Sequence, residues 1–183
     1  MQKVSLREYS TKGYDSGPRW RRTVWLLISR VFFESFFPWP SSFKSSILRL
    51  YGANIGSRVV IKPQVKFKYP WHLDIGDDCW IGEQVWIDNV AHVSLSDNVV
   101  LSQGAYLLTG NHDYNSRTFD LTAAPISIES GAWIAAMAIV GPGTLVKRLA
   151  VVCAGSVATG ELSECGVYRG NPASQIHIRK ILD

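Results

Sequence analysis

Apolar positions recur every six residues along most of this chain. Stepping by six from Ile75 meets Ile81, Ile87, Val93, Val99 and Ala105; stepping from Ile128 meets Ile134, Val140, Val146, Val152 and Ala158. A weaker start shows at Ile55, Ile61 and Phe67. This period fits neither an amphipathic helix nor the two-residue alternation of a long strand. It fits a short strand followed by a tight corner, repeated. Three such strands close a triangular coil of about eighteen residues, and coils stack in parallel so that each aliphatic residue rests on its counterpart one coil away. The residue that follows is Gly76, Gly82 or Gly141, where a side chain would crowd the winding. The fourth residue on is small or slender at Cys79, Val85, Ala91, Ala132, Ala138, Thr144, Ala150 and Ser156, as a narrow core requires. Unpaired backbone remains only at the two ends of the stack, which need covers.

The rhythm breaks once. From Ala105 to Ile128 the spacing is not a multiple of six, and "GNHDYNSRTFD" carries the residues of turns. The chain is therefore expected to leave the prism in an extruded loop, about 107–126. A loop held at both ends by a rigid scaffold is a good place to aim a side chain, and the one it would aim is His112. By itself His112 reads more readily as a loop histidine with a structural hydrogen bond.

Ahead of the repeats lies "TVWLLISRVFFESFFPWP". The apolar run Thr23–Phe37 includes Arg30 and Glu34 and is shorter than the roughly 20 apolar residues of a spanning helix. One reading is a helix packed on the fold or on a neighbouring subunit. The other is a surface-seeking helix that places Trp25, Phe32, Phe33, Phe36, Phe37 and Trp39 in a lipid interface, with Arg19, Arg21, Arg22, Lys44 and Arg49 near anionic headgroups. The two can coexist. A second short helix, "SSFKSSILRLYG", ends at Gly52, which suits a C-cap. The net charge of +4 sharpens this picture only when divided, because residues 1–50 hold nine Lys/Arg against three Asp/Glu and the remainder is slightly acidic. Lys3, Arg7 and Glu8 with no apolar run behind them argue against a signal peptide. Three cysteines without metal-ligand spacing suit a reducing, cytoplasmic setting. The expected organisation is a basic, aromatic helical extension over 1–52, the coil with its loop over 53–160, and a capping tail over 161–183.

Several short motifs follow the loop in order: "PISI" at 125–128, "WIA" at 133–135, "PG" at 142–143, "AGSV" at 154–157 and "GNPA" at 170–173. With "TGNHDY" ahead of them, the chain resembles the hexapeptide-repeat acetyltransferases. It resembles most the colanic acid O-acetyltransferase group, through "YPW" at 69–71, "SQGAYLLTGNHD" at 102–113 and the hydrophobic N-terminal extension. The resemblance covers nearly the whole chain. It implies a mainly β fold, the left-handed parallel β-helix, and the handedness comes from the resemblance alone.

It also implies an acetyl-CoA-dependent O-acetyltransferase acting on a sugar of an exopolysaccharide or surface polysaccharide. His112 would be the general base in a direct transfer, and no cysteine or serine sits in a nucleophile motif. Asp120 is a candidate to orient the imidazole, with Asp88 and Asp97 as alternatives and Asp113 pointing away. A backbone N–H at Ala135 or Ala136 would face the oxyanion. The resemblance places acetyl-CoA along Trp133, Ala135, Gly141, Lys147, Arg148, Ala154, Arg169, Asn171 and Pro172, with Arg179 and Lys180 available for its phosphates. Lys147 replaces a glycine usual in the family, so it either holds a phosphate or obstructs the pantetheine arm. Further implications are a homotrimer with grooves shared between chains, a saccharide acceptor that is lipid-linked at the cytoplasmic membrane face, and no metal or nucleic acid. Three rivals are an acetyltransferase for a soluble acceptor, a metal hydratase of the γ-carbonic-anhydrase type and a non-catalytic scaffold. The hydratase would place two histidines five apart, whereas these are at 72, 92, 112 and 177.

Overall fold

The short strands stack into three parallel walls that form a left-handed β-helix. The computed structural model describes residues 4–11 and 14–181, so Lys3 lies outside the described residues. The first wall begins with Asn54–Ile55, Leu73–Ile75 and Val93–Leu95, then resumes after the loop with Ile126–Ile128, Leu145–Val146 and Glu161–Leu162. The second begins with Val60–Ile61, Trp80–Ile81 and Val100–Leu101 and continues with Trp133–Ile134, Val151–Val152 and Gly166–Gly170. The third holds Lys66–Phe67, Trp86–Asp88, Tyr106–Leu108, Ile139–Val140 and Val157–Ala158.

The register corrects the expected coil. Ile75 pairs with Leu95 and not with Val93, so coils before the loop advance by twenty residues; after it the advance is eighteen, as in Ser127 with Leu145, and then sixteen, as in Leu145 with Glu161. The two extra residues sit in the corner between the third and first walls, around Tyr69–Trp71 and again around Asn89–Ala91. Val93, Val99 and Ala105 are nonetheless fully buried. Each hexad has two inward positions, so a slip of two residues lands on aliphatic side chains again. Ala91 belongs to the inserted corner and is only half buried.

The tight corners, unlike the two enlarged ones, share one conformation. Their third residue takes a positive φ, as at Gln64 (60°), Gln84 (60°) and Met137 (58°), and the Ala138 N–H donates to Ala135 O at 3.2 Å. That is the geometry of a type II turn, which favours proline at its second position. Pro63 and Pro142 occupy that position in two of the corners.

Two helices, α1 (Arg19–Phe32) and α2 (Ser41–Leu50), close the N-terminal end. Side-chain donors from the helices serve each wall there. Arg49 Nε donates to Ile55 O (2.9 Å), Lys44 Nζ to Ile61 O (3.2 Å) and Trp25 Nε1 to Phe67 O (2.8 Å). These bonds satisfy carbonyls that stacking would otherwise leave orphaned at an open sheet edge. They also correct the assignment of headgroup-facing cations. Lys44 is completely buried, Arg49 is committed to backbone, and Arg21 donates to Tyr51 O (2.6 Å) while lying over Trp71. Trp25 and Phe33 are core residues, and Phe36 and Phe37 follow the end of α1 instead of lying on it. What α1 does expose is a stripe at helical spacing: Trp20, Val24, Leu27 and Val31. Gly52, at φ +95°, follows α2 and donates to Arg49 O.

At the other end Ala173–Ile178 folds back antiparallel on Gly166–Gly170. Among the described residues, no helix is long and apolar enough to cross a membrane.

Candidate active site

The loop departs from the corner between the third and first walls. Its root is Thr109, fully buried, whose hydroxyl donates to Asp88 O (2.9 Å) and accepts from the Ala91 N–H (3.0 Å). Gly110–His112 then pairs antiparallel with Leu121–Ala123, and the Ala124 N–H closes the loop on Thr109 O (3.0 Å). The excursion is thus a two-stranded arm whose free part starts at Gly110, later than the 107 expected. His112 stands at the end of the paired portion, opposite Leu121.

The imidazole is held on two sides. Its ring stacks on Phe119, with centroids 4.6 Å apart and planes 9° from parallel, and Tyr9 leans against it at 5.9 Å. Nδ1 lies 3.0 Å from Phe119 O. A carbonyl oxygen can only accept, so Nδ1 carries the proton and Nε2 keeps its lone pair. This is the tautomer of a base at Nε2. The carboxylate of Asp120, expected to orient the ring, is engaged elsewhere: it accepts from the Ser10 N–H (2.9 Å) and the Thr118 hydroxyl (2.8 Å). Asp88 pairs with Lys68 (2.8 Å), and Asp113 caps its own turn. Phe119 and Tyr9 were not legible as site residues, because only the return of the loop and the docking of the N-terminal segment bring them to His112. That segment is tied to the loop tip by the Arg117–Glu8 ion pair and by the Ser5 N–H on Arg117 O.

The two expected oxyanion donors differ. The Ala135 N–H is spent on Val152 O (2.9 Å) in the ladder between coils, whereas that of Ala136 has no acceptor among the described residues. Both lie in the corner between the second and third walls, one prism edge away from the His112 loop. Ala154 shares that edge one coil on, and Gly141 lies on the edge of the loop. Trp133 is exposed on the second wall, its indole N–H on Ser102 Oγ (2.9 Å). Lys147 pairs with Glu161, and Arg148 with Glu164. Both are in the corner between the first and second walls, where Lys147 meets a carboxylate. Arg179 donates to Gly131 O (2.9 Å) and Leu149 O (3.3 Å), so its guanidinium braces backbone. Arg169, Asn171, Pro172 and Lys180 are exposed in or beside the terminal hairpin, with a cis bond between Asn171 and Pro172. One chain therefore does not gather these residues around His112. Of the other histidines, His92 pairs with Asp74 (2.8 Å), and no cluster of three metal-ligating side chains occurs among the described residues.

No family model matches the chain. Among curated proteins it is 36% identical over 172 residues to "Putative colanic acid biosynthesis acetyltransferase WcaF" of Escherichia coli, covering 92% of each chain. It is 25% identical over 136 residues to the galactoside O-acetyltransferase of the same organism, covering 73% of this chain and 67% of the relative. Among solved structures, a hexapeptide-repeat-containing acetyltransferase of Vibrio cholerae complexed with acetyl coenzyme A superposes with a TM-score of 0.81 at 20% identity, over 97% of this chain and all of that one.

Proposed function

The chain belongs to the hexapeptide-repeat acetyltransferase family, and on that premise we propose that it moves an acetyl group from acetyl-CoA to a sugar hydroxyl of a surface polysaccharide, with His112 as general base. The observation that carries this reading is the bond from Nδ1–H of His112 to Phe119 O. It leaves Nε2 as an acceptor on a ring that cannot easily turn.

The chemistry follows. A sugar hydroxyl is a weak nucleophile while it keeps its proton. Nε2 takes that proton as the hydroxyl oxygen bonds to the thioester carbon. The carbonyl oxygen becomes an anion, and the free N–H of Ala136 is the donor suited to it. Collapse breaks the carbon–sulfur bond, and the imidazolium returns its proton to the leaving thiolate. The product pair is an acetyl ester and free CoA, with no acyl-enzyme. Because His112 and Ala136 occupy different prism edges, the site is shared by two chains of a homotrimer. The acceptor is lipid-linked, and the exposed stripe of α1, continued by Phe36 and Phe37, supports a peripheral contact with the membrane. Of the residues expected along the CoA groove, Ala154, Arg169, Asn171 and Pro172 have exposed side chains.

Labelled acetyl-CoA offered with a panel of lipid-linked and free oligosaccharides, read by mass spectrometry, tests the proposal. Wild type should acetylate a saccharide, and His112→Ala should be slower by ~10²–10⁴-fold with unchanged melting. Undiminished turnover by His112→Ala would remove His112 from the mechanism. Transfer to free sugars alone would make the acceptor a soluble one.

A further inference from the structure

A cavity of about 520 Å³ opens between α1 and the third wall, and one of about 450 Å³ adjoins it; Glu34, Lys66 and Trp86 line both. The floor is aromatic. Trp86 is 40% exposed, stacks on Tyr106, one coil further on, at 4.6 Å and 14°, and carries the Lys66 ammonium over its ring at 5.4 Å. Amides stand at one end in Gln64 and Gln84, and apolar Leu26 lies at the other. The charge of the rim is unbalanced. Lys68 is neutralised by Asp88, but Arg19, Arg22 and Lys66 face the single carboxylate of Glu34. The Nε of Arg22 is enclosed and finds no acceptor among the described residues.

From this arrangement we infer that the cleft holds the acceptor as an anionic saccharide: a sugar ring on Trp86, its pyrophosphate among Arg19, Arg22 and Lys66, and its lipid leaving past Leu26. This deepens the saccharide reading above and rests on it. The C–H face of a sugar matches the indole face opposite Tyr106 once the Lys66 ammonium that lies over it turns to the pyrophosphate, and the glutamine amides both donate and accept, as hydroxyls require. Guanidinium groups suit phosphate oxygens by their fork of donors. The position agrees with the chemistry. Trp86–Asp88 pairs directly with Tyr106–Leu108, and the next residue, Thr109, is the root of the arm that carries His112. Leu26 and Leu27, adjacent on α1, connect the cleft to the exposed apolar stripe, so a lipid tail leaving the cleft would meet the membrane-facing side of the helix.

The test is calorimetric binding without acetyl-CoA, so that a failure of acetyl transfer does not affect it. Three kinds of probe are compared: glucosyl and galactosyl pyrophosphoryl geraniol, the matching geranyl glycosides without pyrophosphate, and geranyl pyrophosphate without sugar. The pyrophosphate-linked sugars should bind best. Trp86→Ala should weaken the sugar-bearing probes about tenfold, about 1.4 kcal/mol, and leave geranyl pyrophosphate unchanged; Trp86→Phe should restore most of the loss. Arg22→Gln with Lys66→Gln should weaken both pyrophosphate probes and spare the glycosides. Binding by none of the probes, or equal binding by wild type and these variants at unchanged melting temperature, would overturn the assignment. If saccharide acetylation persisted in that case, the proposed function would stand and the cleft alone would fall.

Discussion

At the scale of single residues, His112 depends on a neighbour that is a backbone atom. The carbonyl of Phe119 sets the tautomer, and the Phe119 ring sets the plane. Phe119→Ala keeps the carbonyl and removes the stack, worth about 0.5–1.5 kcal/mol for an aromatic pair. Turnover is expected to fall severalfold while KM for acetyl-CoA stays level, and steady-state kinetics would read the split. Lys44 is a second residue whose role is local. Burial holds its ammonium below the usual lysine range. The folded chain therefore binds that proton less readily than the unfolded one, and the resulting penalty, full below the lowered folded value, is relieved as pH rises from there toward the ordinary 10.5. Lys44→Met should erase that rise in stability. It should also leave Lys62 O without its side-chain donor and Ile61 O with the Ser41 hydroxyl alone, at a cost of about 1–3 kcal/mol, measurable by urea melts at pH 7 and pH 10. Neither role was visible in the sequence, where His112 appeared in need of a carboxylate and Lys44 in need of a lipid. Both partners are backbone oxygens, and a string of side chains does not show where those point.

The elements were more legible. Hexad spacing revealed the walls because each strand must bury an aliphatic residue in the same narrow core. The place of the arm was legible because turn residues replaced that pattern. The register was not, since two inward positions per hexad let Val93 pass for Leu95. Boundaries of α1 shifted for a similar reason: apolarity continued through Phe36 and Phe37 after the helix had ended. The outward stripe of α1 has its own test. Exchange of Leu27 and Val31 for serine changes exposed positions and should leave melting unchanged while abolishing co-sedimentation with anionic vesicles. Wild type remaining in the supernatant would remove the membrane contact from the account. The cations that remain for such a surface are fewer than composition suggested, because Arg21, Lys44 and Arg49 serve backbone carbonyls at the closed end.

For the whole molecule, the decisive fact is that His112 and the unpaired N–H of Ala136 stand on different edges of one prism. On the proposed mechanism a second copy has to bring them together, which would make assembly part of catalysis. The corner at Ala136 permits a clean separation of the two halves. It is a type II turn whose second position holds proline in the corners of Pro63 and Pro142, so Ala136→Pro deletes one N–H and fits the turn. Alone, it should lower turnover by about 10²–10³-fold. The measurement that bears most directly on the account is acetyl transfer by mixed assemblies of His112→Ala and Ala136→Pro chains, each nearly inactive alone. Wherever an Ala136→Pro chain supplies His112 to the neighbouring edge of a His112→Ala chain, one intact site forms, and activity should return to a sizeable fraction of wild type. Mixtures no more active than their components, although shown to exchange chains, would contradict a site built by His112 and Ala136 across two protomers.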